Sequence, residues 1–131
     1  MGGPCCIDGT CKATNNFAIV QAGFTIGGVT YYSAEHAYQA LKMAKKEEHD
    51  KIAALTPKKN ESAWDHGMRC WNAGQKGELK KSWHTDGSKL KIKIMYQVTK
   101  AKLEQCQEPR DELCGIVAAI SGTNGTQSCS C

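Results

Sequence analysis

Glu35, Gln39 and Lys42 are the residues of this chain best placed to do chemistry together. They fall on one stripe of a predicted helix, because side chains three, four and seven apart share a face. Glu35 and Lys42 are two turns apart, about 10 Å along the axis. Both could reach a ligand lying along Gln39. A carboxylate can stabilise developing positive charge or deprotonate a water, and a lysine held neutral can act as a nucleophile. An ordinary solvated stripe of charge would show the same spacing, so the elements around it must decide.

The stretch Ser33 to Lys46 carries the stripe. Ser33 is a good N-cap, Glu35 suits the positive end of the helix dipole, and no Gly or Pro interrupts the run. Ala34, Ala37, Tyr38, Leu41 and Ala44 form a neighbouring apolar stripe that should face the core. Immediately before it, Phe24 to Tyr32 reads as a tight hairpin. Gly27 and Gly28 supply the positive φ angles of a two-residue turn, and Phe24, Ile26, Val29 and Tyr31 favour strands. The hairpin should therefore fix the start of the helix against a sheet edge.

The same residues carry a resemblance. Phe24, Ile26, Gly28, Tyr31 and Ser33, followed by Glu35-His36-x-Tyr38-Gln39-x-x-Lys42, resemble the signature of the NADAR family of small α-rich domains linked to NAD and ADP-ribose metabolism. Asn16-Phe17 and the series Lys91, Met95, Lys102 extend the likeness over about residues 14 to 107. It implies a compact single-domain α+β fold, mainly helical with a small hairpin sheet. It also implies an N-glycosidase that breaks a ribose C1–N bond. Two substrates are attached to the family: ADP-ribosylated guanine in DNA or RNA, and a ribosylamino-pyrimidine intermediate of riboflavin synthesis. A non-catalytic ADP-ribose-binding module is a third reading. For the bond cleavage that the resemblance implies, the chemistry of the residues makes Glu35 and Lys42 the catalytic candidates, with a Schiff base on Lys42 after ring opening as the hypothesis. Asn16, Phe17, Tyr32, His36, Gln39, Arg69 and Trp83 would bind the ligand. From its position alone, a structural role for His36 is the stronger reading. No cofactor or metal is expected. The chain departs from the family at its end, where a closing Asp-x-x-Trp-Gly motif has no counterpart after Asp111.

With 131 residues the chain suits one domain, and its 40% hydrophobic and 23% charged content is ordinary for a globular protein. A net charge of +4 suits a phosphate-bearing ligand. Its only arginines, Arg69 and Arg110, argue against a sequence-specific DNA reader, which leans on bidentate guanine contacts. No apolar run is long enough to span a membrane and no signal peptide is evident, so a cytoplasmic or nuclear protein is expected, with its cysteines mostly thiols. Residues 1–12 read as a flexible Cys-rich tail, 13–120 as the domain and 121–131 as a flexible polar tail. Gly2 with Cys5 and Cys6 could accept lipids, although Cys6 replaces the usual Ser or Thr of a myristoylation signal.

Along the rest of the chain, a charged bend at 45–50 should lead to a short helix at 51–55. Thr56-Pro57 should then open a helix ending before Gly67, with Trp64 in the core. Residues 73–88 should form a long loop. Asp86 should cap a helix running to about Gln107, Pro109 should end it, and a last helix should cover 111–120.

Overall fold

The computed structural model describes residues 13–121. Two short strands, β1 (Phe24–Ile26) and β2 (Val29–Tyr31), precede five helices: α1 (Ala34–Leu41), α2 (Lys46–Ala53), α3 (Ala63–Lys76), α4 (Lys89–Gln105) and α5 (Gln107–Ser121). The fold is thus α+β and mostly helical, as expected. The strands pair antiparallel with Phe24 opposite Tyr31 and Ile26 opposite Val29. Gly27 and Gly28 turn the chain with φ of 60° and 81°, values that a side chain would strain. Gln105 at the end of α4 clamps β1 from outside: its Oε1 accepts from Thr25 N at 2.7 Å and its Nε2 donates to Thr25 O at 2.7 Å.

The centre of the molecule is α1. It touches β2, α2, α3 and α4, and every residue from Ala34 to Ala40 is buried. Its apolar residues join Phe24, Tyr31, Met43, Ile52, Trp83, Ile94 and Val98 in one core. The helix is buried on all sides, so Glu35 and Gln39 are not part of a solvated stripe.

Several boundaries differ from the sequence reading. α1 stops at Leu41 because the chain leaves it for a short extended pairing: Met43 bridges Leu79, Ala44 N donates to Glu78 O at 2.8 Å, and Lys80 N to Lys42 O at 3.0 Å. That tertiary pairing overrides the helical propensity of residues 42–46. The charged bend is instead the first part of α2, with Glu47 and Glu48 at its positive end and Lys51 at its negative end. Pro57 opens no helix; α3 begins after Ser62, whose Oγ accepts from Asp65 N at 3.0 Å. α3 then continues through Gly67. The N-cap of α4 is Ser88 rather than Asp86 and makes no side-chain capping bond; Asp86, two residues earlier, accepts from Leu90 N at 2.8 Å. Pro109 lies in the first turn of α5, where its missing N–H is not needed.

Trp64 is 65% exposed, whereas Trp83, in the loop before α4, is 6% exposed and belongs to the core. Cys70 and Cys106 are free thiols and Cys114 is disulfide-bonded. The expected tails, the Gly2 and Cys5–Cys6 lipidation signal and the terminal cysteines fall outside the described residues. No described helix is long and apolar enough to cross a membrane.

Candidate functional site: a buried acid, amide and amine on one helix

Ser33 starts α1 by accepting from His36 N at 3.0 Å. The Glu35 N–H, another orphan donor of the first turn, goes to Asn16 O at 2.9 Å. The loop before the hairpin is thereby tied to the start of α1, with Asn16 buried beside it.

Glu35 is 1% exposed and its Oε1 accepts from Gln39 Nε2 at 2.6 Å. Lys42, two turns from Glu35, is 7% exposed, and its side-chain amine makes no hydrogen bond or ion pair among the described residues. Three buried polar atoms lack a partner here: Glu35 Oε2, Gln39 Oε1 and Asn16 Nδ2. Buried polar groups are almost always paired, and an unmade bond costs about 1–3 kcal/mol, so these atoms make the row a candidate for contact with a polar ligand.

The acid and the amine also influence each other electrostatically. Burial pushes the Glu35 carboxyl up, while the Gln39 hydrogen bond and the Lys42 charge pull it back. Burial pushes the Lys42 amine down, against the pull of Glu35. Each group feels the other, and burial moves acid and amine toward one another on the pH scale, as proton transfer and nucleophilic attack require.

α3 forms the opposite wall. A Cβ on Gly74 would stand 1.9 Å from Gln39 Oε1 and 3.1 Å from Lys42 Cε, so only glycine lets the two helices meet with this row between them. Two turns earlier, a Cβ on Gly67 would stand 2.3 Å from Phe17 Cδ2. The two glycines are not helix stops but notches that admit Gln39 and Phe17. The Phe17 ring also tilts against Trp64 at 5.3 Å between centroids.

The other expected ligand residues are placed differently. His36 spends both ring nitrogens on the backbone: Nδ1 accepts from Tyr32 N at 3.1 Å and Nε2 donates to Ile52 O at 2.7 Å. It is a satisfied core histidine, and the half-buried Tyr32 stacks against its ring. Arg69 is spent on Glu61, through Nε at 2.6 Å and Nη2 at 2.8 Å, and on Thr56 O. This pairing holds Glu61 down at about 2. Arg69 also lies about 140° round α3 from Gly74, away from the row. Trp83 packs on Tyr38 at 5.8 Å as part of the core.

Sequence reasoning gave no role to Lys102, yet it supports the site. It is 3% exposed and its Nζ donates to Asn15 O at 3.0 Å, holding the loop that carries Asn16 and Phe17. Burial pushes it down to about 8. The signal was available: Ile94, Val98 and Lys102 form one buried row on α4, and a lysine at a core position needs a reason. Glu112 on α5 assists, accepting from Thr14 N at 3.0 Å. Two cavities, of about 390 and 450 Å³, lie elsewhere on the surface and neither is lined by Glu35, Gln39 or Lys42.

The buried His36 makes stability depend on pH. Burial lowers its pKa to about 4 from an ordinary 6.5, so the unfolded chain binds the proton first as pH falls. Its contribution is fully present above pH 6.5, is lost as pH falls toward about 4, and amounts to roughly 3 kcal/mol across that window. Urea midpoints taken between neutral pH and pH 4 should fall accordingly, and His36→Gln should flatten the decline. An equally steep decline in the variant would assign it to other groups.

No protein-family model, curated protein or solved structure matches the chain in comparison with known proteins.

Proposed function

We propose that this chain is an N-glycosidase that removes ADP-ribose from ADP-ribosylated guanine in nucleic acid. The observation that carries the reading is the buried row itself: an acid and an unpaired amine that feel each other's charge, with an amide between them and three polar atoms left without partners. The likeness of the Glu35 to Lys42 stretch to the NADAR signature supplies the substrate class.

In this reading the neutral Lys42 Nζ adds to ribose C1 as the C1–N bond breaks, and the base leaves with a proton supplied by Glu35. Opening of the sugar ring gives a protonated Schiff base. The Glu35 carboxylate then deprotonates a water, which adds to C1 and returns Lys42 as an amine. Glu35 also stabilises the cationic character that builds on C1 and the ring oxygen. Gln39 Oε1 is an acceptor for a ribose hydroxyl, Asn16 Nδ2 a donor to the base or ribose, and Phe17 a stacking surface.

Incubation with ADP-ribosylated guanine DNA should release ADP-ribose, and borohydride added during turnover should fix a sugar adduct on Lys42, read by mass spectrometry of the peptide. Turnover with no adduct would reduce Lys42 to a binding contact. Release from the ribosylamino-pyrimidine alone would move the activity to that substrate. Binding of free ADP-ribose with no turnover of either, unchanged in Glu35→Gln, would make the chain a binding module.

A further inference from the structure

The positive charge of this chain is not spread evenly. Between Leu79 and Leu103 lie seven of its seventeen basic residues and one of its thirteen acidic ones, so the remainder of the chain is slightly acidic. The one acid, Asp86, accepts from Leu90 N at 2.8 Å. Of the lysines, Lys102 is buried and Lys91 lies over the Trp83 ring, 5.8 Å from its centroid. Lys89, Lys93 and Lys100 remain on α4, and all three are exposed. No acid occurs on that helix before Glu104.

An α-helix turns about 100° per residue, and the inward row of α4 is Ile94, Val98 and Lys102. Two parallel stripes lie on the opposite side. Lys89, Lys93 and Lys100 make one, and Ile92, Tyr96 and Leu103 the other, each at the spacing i, i+4, i+11. All six fall within an arc of about 100°. Ile92 and Tyr96 are each 67% exposed, so the apolar stripe is largely uncovered. Lys89 and Lys93 make no ion pair among the described residues. Lys100 meets Glu104 at 3.9 Å, an exposed pair at the edge of the arc that does little to neutralise the stripe.

A partner for this face must offer negative charge and, directly beside it, an apolar layer to receive Ile92 and Tyr96. The phosphate backbone of a nucleic acid offers the first without the second, and an apolar protein surface the second without the first. The head-group region of an anionic membrane offers both. Its phosphates and carboxylates meet lysine amines, the acyl boundary just beneath takes aliphatic side chains, and tyrosine is favoured at that level. The sequence holds a second pointer to the same surface, because Gly2, Cys5 and Cys6 could accept lipids. One acyl chain anchors a protein stably only beside another signal such as a basic patch. We infer that the outer face of α4 docks on an anionic membrane surface, with Lys89, Lys93 and Lys100 on the head groups and Ile92 and Tyr96 entering the interface. This goes beyond the proposed glycosidase and does not depend on it.

The test uses the whole chain without acylation, so that the face is read by itself, and sedimentation with phosphatidylcholine vesicles that contain or lack about one-third phosphatidylserine. The chain should sediment with the anionic vesicles and not with the neutral ones, and raised salt should release it. Lys89→Gln, Lys93→Gln and Lys100→Gln should each weaken partitioning by about 5-fold, the effect of one basic residue near such a surface. Ile92→Ser should weaken it by about 5- to 10-fold through lost apolar contact. Lys58 and Lys59, exposed before α3, supply the control: changing both to Gln should leave partitioning within about 2-fold of the wild type. Failure to sediment with anionic vesicles, or equal sedimentation with neutral ones, would overturn the inference. So would a loss in the Lys58 and Lys59 control as large as that in a Lys89 and Lys93 double variant, since net charge and not this face would then be responsible. A DNA duplex that binds the wild type more tightly than the anionic vesicles do, and is released by Lys89→Gln, would give the face to nucleic acid instead.

Discussion

Glu35→Gln is expected to lower turnover of ADP-ribosylated guanine by about 10²- to 10⁴-fold while leaving the fold intact, the usual range for loss of a positioned acid–base group. The substitution keeps shape and removes charge. The new amide can still bond Gln39, because a flip of the Gln39 amide lets its oxygen accept where its nitrogen now donates. The chain would no longer have a group at this point that can give a proton to the departing base or take one from water. With the opposing charge gone, the Lys42 amine should also titrate lower, since Glu35 is what raises it against burial. Single-turnover assays at several pH values read both effects. Wild-type rates in this variant would remove Glu35 from the chemistry.

Gly74→Ala should cost about 100-fold in activity for a much smaller loss of stability. Its added methyl would meet Gln39 Oε1 at 1.9 Å, Gln39 Cδ at 2.9 Å and Lys42 Cε at 3.1 Å, so the row must move. Overpacking of this kind costs about 1–3 kcal/mol, partly offset by the roughly 1 kcal/mol that alanine gains over glycine inside a helix. The side chains that yield are those proposed to orient the sugar, and a displacement of about 1 Å at a reacting centre can cost 100-fold in rate. Thermal melts beside kinetics would separate the two effects. Unchanged turnover would mean that Gln39 and Lys42 need no fixed position.

Local signals were legible in the sequence where local physics decides. The Gly27-Gly28 turn and the Ser33 cap each depend on a few neighbouring residues, and each is where it was expected. The row Glu35, Gln39, Lys42 was legible as a stripe but not as a buried one, since periodicity places residues on a face without saying what covers it. Features set by distant partners were missed. Gly67 read as a helix stop and Gly74 as part of a loop because nothing local reveals Phe17 or Gln39 packing against them. Trp64 and Trp83 differ from the sequence reading for the same reason: the aromatic on a helix was given to the core and is exposed, while the one in a loop packs on Tyr38. Lys102 went unassigned because its partner, Asn15 O, is remote in sequence.

The burial of α1 on every side has a consequence for how such a protein can diverge. Enzymes that carry their reactive groups on surface loops can retune them by lengthening or exchanging a loop. Here the acid and the amine sit in the keel, and almost any change beside them is also a change to the packing of four other elements. If the row is the proposed active site, variation in substrate preference is confined to the margins: the loop bearing Asn16 and Phe17, the segment between α3 and α4, and the outer side of α3.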